Sequence, residues 1–249
     1  MPSISIITAT YNVSSTLHDC LESVSGQDAE VEHILIDGAS SDDTMVIVER
    51  YRDGLAKVVS EPDAGIYDAM NKGIALATGD VVGILNADDF YANDQVLVKV
   101  ADAFSDSSVE ACYGDLRYVD HRDTGRTVRY WRSGKFSPGK FYWGWMPPHP
   151  TFFVRRSVYK RFGGFNLELG SAADYEIMLR FLLKHRLKAV YIPEVLVHMR
   201  TGGVSNASLS NRLRANRMDR KAWKVNGLMP KPWTLVMKPL RKVGQWVLK

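Results

Sequence analysis

The sequence predicts an α/β domain built on a mostly parallel central sheet flanked by helices. Three observations predict it. Short apolar runs bounded by turn residues alternate with segments whose apolar residues recur at helical spacing. The alternation is regular over the first hundred residues, as right-handed crossovers between parallel strands require. At 249 residues, with 45% hydrophobic and 24% charged residues, the chain can bury one full core in the manner of a soluble globular protein.

Each element follows from local pattern. Ser3–Thr10 is apolar and β-branched, a strand. Leu17, Cys20, Leu21 and Val24 fall at i, i+3, i+4 and i+7, one helix face, with Ser14 or Ser15 as its cap. His33–Asp37 is a second strand. Ser40-Ser41-Asp42-Asp43 can cap a helix marked by Met45, Val48 and Tyr51. Lys57–Ser60 is a third strand, and Tyr67, Met70, Ile74 and Ala77 mark a third helix. Gly79-Asp80 turns into a fourth strand, Val81–Leu85, and Leu97, Val100, Ala101 and Phe104 mark a fourth helix. After residue 108 the strands shorten, over Val109–Tyr113, Leu116–Val119 and Thr127–Trp131. Trp143–Pro150 is an aromatic, proline-rich loop. Tyr175, Met178, Leu179 and Leu182 give a helix face, and Lys188–Ile192 a last strand.

Composition narrows the function classes. Cys20 and Cys112 form neither a disulfide framework nor a metal-ligand spacing, and Cys20 belongs to a packed helix face. The N-terminus enters a strand directly, without a secretory pattern, and no run of about 18 apolar residues spans a membrane. The formal net charge of +4 conceals an asymmetry. Residues 209–249 carry 11 Lys or Arg against the single acid Asp219, a net of +10, while the other residues carry 21 against 27, a net of −6.

Four polar segments fall at the carboxyl ends of the first four strands, where open α/β sheets bind ligands. They are Thr8-Ala9-Thr10-Tyr11-Asn12, Asp37-Gly38-Ala39-Ser40-Ser41-Asp42, the run from Glu61-Pro62-Asp63-Ala64-Gly65 to Asn71-Lys72-Gly73, and Asn86-Ala87-Asp88-Asp89. Carboxylates after a strand suit a hard divalent cation, and such a cation suits a diphosphate. Acidic residues there also serve as turn formers or helix caps.

Taken jointly, these four segments resemble the family 2 glycosyltransferases, whose fold is the nucleotide-diphospho-sugar transferase (GT-A) fold. The likeness covers about residues 3–205 and is closest to bacterial members of surface-polysaccharide biosynthesis. It implies a GT-A domain over residues 1–208. Residues 1–108 would be its nucleotide-binding half and 109–208 its acceptor-binding half, and a basic amphipathic extension would occupy 209–249.

The resemblance also assigns roles. Thr8, Tyr11 and Asp37 would contact the nucleoside, Tyr11 by stacking and Asp37 by accepting a uracil imide N–H. Asp63, Asn71 and Lys72 would contact the diphosphate or sugar, and Asn86 and Ala87 would line the donor site. Asp88 would be the principal ligand of Mn²⁺ or Mg²⁺, with Asp89 and His198 as further candidates. Where relatives carry a second acid after Asp37, this chain has Gly38; where they carry Asp-x-Asp, it begins with Asn86. Asp174, in Ala173-Asp174-Tyr175, would be the general base, with its helix N-terminal position as the structural alternative. His149 and Arg200 would contact substrate, and Gly202-Gly203 would form a lid.

The basic segment interleaves Arg212, Arg214, Arg217, Arg220, Lys221 and Lys224 with Trp223, Trp233 and Trp246. Cations with tryptophans suit an anionic membrane surface better than nucleic acid, for which no reading motif is present. The expected protein is therefore an inverting, metal-dependent transferase of hexose or N-acetylhexosamine from a UDP-sugar. Its acceptor would be a lipid-linked saccharide on the cytoplasmic face of the membrane. The alternative is a catalytically silent nucleotide-sugar-binding protein.

Overall fold

The computed structural model describes the backbone of residues 1–202 and 209–247 and the side chains of 1–202 and 216–241. Gly203 of the expected lid and the side chains of Arg212, Arg214 and Trp246 lie outside the described residues.

The first half is the parallel sheet that the alternation predicts. β1 (Ile4–Thr10) pairs in parallel with β2 (Val31–Asp37) and with β4 (Val81–Ile84), and β3 (Lys57–Ser60) adds to β2. Three helices make the crossovers, α1 (Leu17–Ser25), α2 (Thr44–Arg50) and α3 (Ile66–Leu76). Register aligns the strand ends: Thr10 lies opposite Asp37, and Asp37 opposite Ser60. The polar segments therefore leave the sheet from one edge.

Beyond β4 the sheet is mixed. After β5 (Phe90–Tyr91) and α4 (Val96–Ala103) come β6 (Ala111–Val119), β7 (Thr127–Trp131), β8 (Phe153–Arg155), α5 (Arg156–Phe162), α6 (Ala173–Met178) and β9 (Ala189–Arg200). The strand order is β3-β2-β1-β4-β8-β6-β9-β5, with β7 on β6. The strands expected over Val109–Tyr113 and Leu116–Val119 merge into one, β6, which begins at Ala111 and whose register against β9 shifts twice near Asp115. β9 runs on past Pro193 to Arg200, farther than the apolar pattern predicts.

Two helices follow, α7 (Leu209–Val225) and α8 (Thr234–Val247). Their described residues pack on the second half of the domain, around Tyr175 and Glu176. Trp223 is fully buried, and its indole N–H donates to the Tyr175 hydroxyl at 2.9 Å. Asn226 Nδ2 donates to Glu176 at 3.0 Å. Lys238 pairs with Asp219 at 2.8 Å and lies 3.6 Å from the centre of the Tyr175 ring. Gly144, at φ +73°, lets the α8 backbone approach: a β-carbon there would meet the Lys238 nitrogen at 2.3 Å.

Candidate active site

The ends of β1, β2 and β3 are tied together by Asp37. Its Oδ1 accepts from the hydroxyls of Thr10 at 3.2 Å and Ser40 at 2.5 Å. Its Oδ2 accepts from the Ser40 backbone N–H at 3.0 Å and the Ser60 hydroxyl at 2.6 Å. Burial pushes this carboxyl up, but the bonds from Ser40, Ser60 and Thr10 outweigh it and hold it below the ordinary range. Four donors engage both oxygens, so Asp37 builds the ledge and offers little to a base.

Two other expected donor contacts are also structural. Thr8 is buried and faces the core, where its hydroxyl meets His33 Nε2 at 3.0 Å. Asn71 pairs with the backbone of Phe165 on both sides, donating at 2.9 Å and accepting at 2.8 Å, and so pins α3 to the loop before Leu167. Lys72 donates to the Pro62 carbonyl at 3.1 Å and pairs with Glu61 at 2.8 Å. It braces the loop that carries Asp63. Tyr11, by contrast, is 63% exposed on the ledge.

The turn after β4 is asymmetric. Ala87 is buried against Leu17, Leu21 and Leu35, and Asp89 is fully buried. Asp89 accepts from Asn86 Nδ2 at 3.1 Å and from the Arg200 backbone N–H at 3.3 Å. Burial, then the charge of Asp88, raises its carboxyl well above the usual range. Asp89 thus faces inward, away from any cation on the sheet edge. Asp88 is the partly exposed carboxylate of the pair, raised chiefly by burial against the opposing charges of Arg200 and His121. Asn86 Oδ1 is buried and takes no hydrogen bond.

Among the described residues no group of three or more His, Cys, Asp or Glu is arranged to hold a metal. His198 packs edge-on to Phe90 at 5.2 Å, and burial, aided by Arg117, lowers its imidazole to about 4. It is neutral at pH 7 but joins no ligand cluster. Arg200 is nearly buried: it donates to the Asp88 carbonyl at 2.8 Å and pairs with Asp19. It braces the turn from behind rather than reaching toward a diphosphate. The residues present fit a cation that brings most of its own ligands, as Mg²⁺ and Mn²⁺ do with diphosphate and water. Asp88 would hold it, with the unpartnered Asn86 oxygen on the same turn.

Asp174 stands at the start of α6, partly exposed, with Oδ1 accepting from the Tyr175 N–H at 2.7 Å. Tyr67 on α3 packs on Phe165, 5.2 Å between ring centres, and its hydroxyl is raised chiefly by burial and then by the charge of Asp174. His149 lies within electrostatic reach of Asp174. Burial lowers its imidazole against that charge, and its Nε2 is buried without a partner. Sequence reasoning gave no site role to Tyr67, to Tyr118, whose hydroxyl is raised chiefly by burial against Arg129 and then by the charges of Asp89 and Asp174, or to His121, whose charge reaches Asp88. Tyr67 sits beside the Asp63 motif, the one signal that could have found it. Tyr118 lies on β6 and His121 in the turn to β7, far in sequence from the four polar segments, so no local pattern singles them out.

A family model described as glycosyl transferase family 2 matches residues 5–163. The chain belongs to that family. An uncharacterized glycosyltransferase of Mycobacterium tuberculosis is 34% identical over 209 residues, 82% of this chain and 78% of that protein. A PGL/p-HBAD biosynthesis glycosyltransferase of Mycobacterium bovis is 30% identical over 211 residues, 82% of this chain and 80% of that protein. Among solved structures, S. aureus TarS 1–349 in complex with UDP-GlcNAc superimposes with a TM-score of 0.70 at 20% identity. The match covers 90% of this transferase and 66% of that chain. The mannosyltransferase PcManGT of Pyrobaculum calidifontis, in complex with GDP-Man and Mn²⁺, gives 0.66 at 18% identity over 100% of this chain and 76% of that one. The fold is GT-A, and the chain is a glycosyltransferase.

Proposed function

We propose that the transferase moves a hexosyl or N-acetylhexosaminyl group from a UDP-sugar to a lipid-linked saccharide acceptor, with inversion and with a divalent cation, in cell-surface glycan assembly. One observation carries the reading: Asn71 and Tyr67 on α3, the helix that follows the donor edge, hold Phe165 of the segment leading to Asp174, through bonds of 2.9 and 2.8 Å and rings 5.2 Å apart, so the Asp174 carboxylate stands within electrostatic reach of Tyr67. Asp174 takes the proton of the acceptor hydroxyl as its oxygen attacks the anomeric carbon. The bond from that carbon to the diphosphate breaks on the opposite side, which inverts the centre. When bound, the cation neutralises charge developing on the leaving diphosphate. His149 Nε2, buried and unpartnered, is available to a substrate hydroxyl.

The membrane part of the reading takes a different surface from the one expected. Trp223 is internal, but Trp143 and Trp233 are 53% and 40% exposed and lie 5.7 Å apart. Val236 and Leu240 extend this face along α8, and Lys231 and Arg241 flank it. Exposed tryptophans beside cations suit an anionic leaflet. No described helix is long and apolar enough to cross a membrane. A peripheral position on the inner face of the cell membrane would bring the site to a lipid-borne acceptor.

The test is calorimetric titration of UDP with Mn²⁺ and with chelator. Metal-dependent binding that Asp88→Ala abolishes is expected. Absence of nucleoside-diphosphate binding under every metal condition overturns the reading, and binding without transfer to any glycolipid acceptor indicates a silent binder.

A further inference from the structure

We infer that Asp63, rather than Asp37, is the carboxylate that reads the donor's base, and that it selects a base with an imide N–H. The inference rests on the proposed nucleotide-sugar donor and specifies how its base is chosen.

Both oxygens of Asp37 are engaged by four donors of the chain itself. The next residue, Gly38, has no side chain, and its space is taken. A β-carbon at Gly38 would lie 2.6 Å from Asp63 Oδ2 and 3.3 Å from Tyr11 Cδ2. The Asp63 carboxylate and the edge of the Tyr11 ring therefore converge over Gly38. An exposed aromatic face beside a carboxylate is the chemistry that a base requires, a stacking surface and an in-plane acceptor.

The loop is set in advance. Lys72 bonds the Pro62 carbonyl and pairs with Glu61, fixing the residues just before Asp63. Asp63 Oδ1 accepts the Gly65 N–H at 2.8 Å, and Gly65 adopts φ +109°, a conformation that favours glycine. Oδ2 takes no hydrogen bond from any described residue.

One open acceptor decides which base fits. The imide of uracil or thymine presents a single N–H between two carbonyls, which one carboxylate oxygen satisfies. Guanine presents two adjacent donors, N1–H and the N2 amino group, and asks for both oxygens of a carboxylate. Oδ1 already accepts the Gly65 N–H, so a second donor there would compete with the bond that sets the loop. Cytosine N3 and adenine N1 are acceptors and would face the carboxylate with like polarity. The predicted order is UDP or dTDP first, GDP next, CDP and ADP last. Uracil and thymine share the imide, and the ribose 2′-hydroxyl separates them in the experiment.

Titrate the full chain, with Mn²⁺, against UDP, dTDP, GDP and CDP, and repeat with Asp63→Asn and Gly38→Ala. Loss of a charge-assisted bond is expected to weaken UDP by about 10- to 100-fold in Asp63→Asn. The UDP-to-CDP ratio should collapse in that variant, because an amide N–H can donate to cytosine N3. Gly38→Ala displaces the Asp63 carboxylate without changing its identity, so it should weaken UDP in the same direction. An unchanged UDP-to-CDP ratio in Asp63→Asn, at matched thermal stability, overturns the inference and leaves the donor reading standing. Preference of the unmodified chain for GDP or CDP does the same. If that chain binds no nucleoside diphosphate, the donor reading falls and takes the inference with it.

Discussion

Arg200 holds Asp88 from behind, its Nη1 donating to the Asp88 carbonyl oxygen at 2.8 Å while its backbone N–H donates to Asp89 at 3.3 Å. The guanidinium also pairs with Asp19 on α1 and lies 5.0 Å from the centre of the Phe90 ring. One buried side chain thus joins β9, α1 and the acidic turn. Arg200→Met keeps the stem and removes the bonds. It should cost about 1–3 kcal/mol of stability, as loss of buried charged hydrogen bonds does. Cation-dependent UDP affinity should fall by roughly tenfold, since the turn is no longer fixed. Urea unfolding and metal titration check the two effects. Unaltered metal dependence would remove Arg200 from the site's support.

Asp174→Asn separates chemistry from folding. The amide oxygen can still accept the Tyr175 N–H, so the start of α6 should be retained. The proton acceptor is lost, and kcat should fall by roughly 10²- to 10⁴-fold. The Kd for UDP should not change if Asp174 acts on the acceptor, as proposed. A variant that transfers sugar at the original rate would show that Asp174 only serves its helix.

The docked helices support the same carboxylate. Trp223 bonds the hydroxyl of Tyr175, the residue after Asp174, from a fully buried position. Trp223→Ala should cost about 3–5 kcal/mol, the range for a large buried aromatic. Trp223→Phe should cost less but still strand the Tyr175 hydroxyl. Thermal unfolding checks both, and a cost near zero for Trp223→Ala would mean that α7 contributes little to the fold.

Much of the fold was legible because its signals are local. The first four strands and their helices stand where periodicity puts them, since each buries one face. β5 and β8 were missed because two or three residues carry no period. The site was legible as an edge but not as partners. Asp37, Asn71 and Arg200 occupy the predicted region, yet each spends its polar atoms on the chain itself. Spacing along a sequence cannot say which carboxylate is left open. Nor could composition separate Trp223 from Trp233, because their fates depend on which side of α7 and α8 meets Tyr175 and Tyr142.

The exposed aromatic pair makes a separate prediction. Replacing both Trp143 and Trp233 by Gln removes the exposed part of two apolar rings, from residues 53% and 40% exposed. Sedimentation with phosphatidylglycerol vesicles should weaken by about tenfold or more, and added salt should weaken it further through Lys231 and Arg241. UDP binding in solution should be untouched. Equal vesicle binding by the double variant would place any membrane contact elsewhere.

Stability should fall with acid in a window set by His33. This imidazole is buried beside Thr8 on β1, with the Cys20 thiol also at the Thr8 hydroxyl. Burial lowers it from 6.5 to about 4. In the unfolded chain it gains a proton as pH falls below about 6.5, while the folded chain resists until about 4. The unfolded state therefore binds more protons across that interval, and stability declines as pH drops through it. The full effect is on the order of 3 kcal/mol, complete near pH 4. His198, also lowered to about 4 but more exposed, adds a smaller share in the same window. His33→Gln can keep a bond to Thr8 without titrating. Urea midpoints from pH 7 to pH 4 should therefore fall less steeply in that variant than in the unmodified chain, and parallel slopes would mean that His33 does not govern the acid limb.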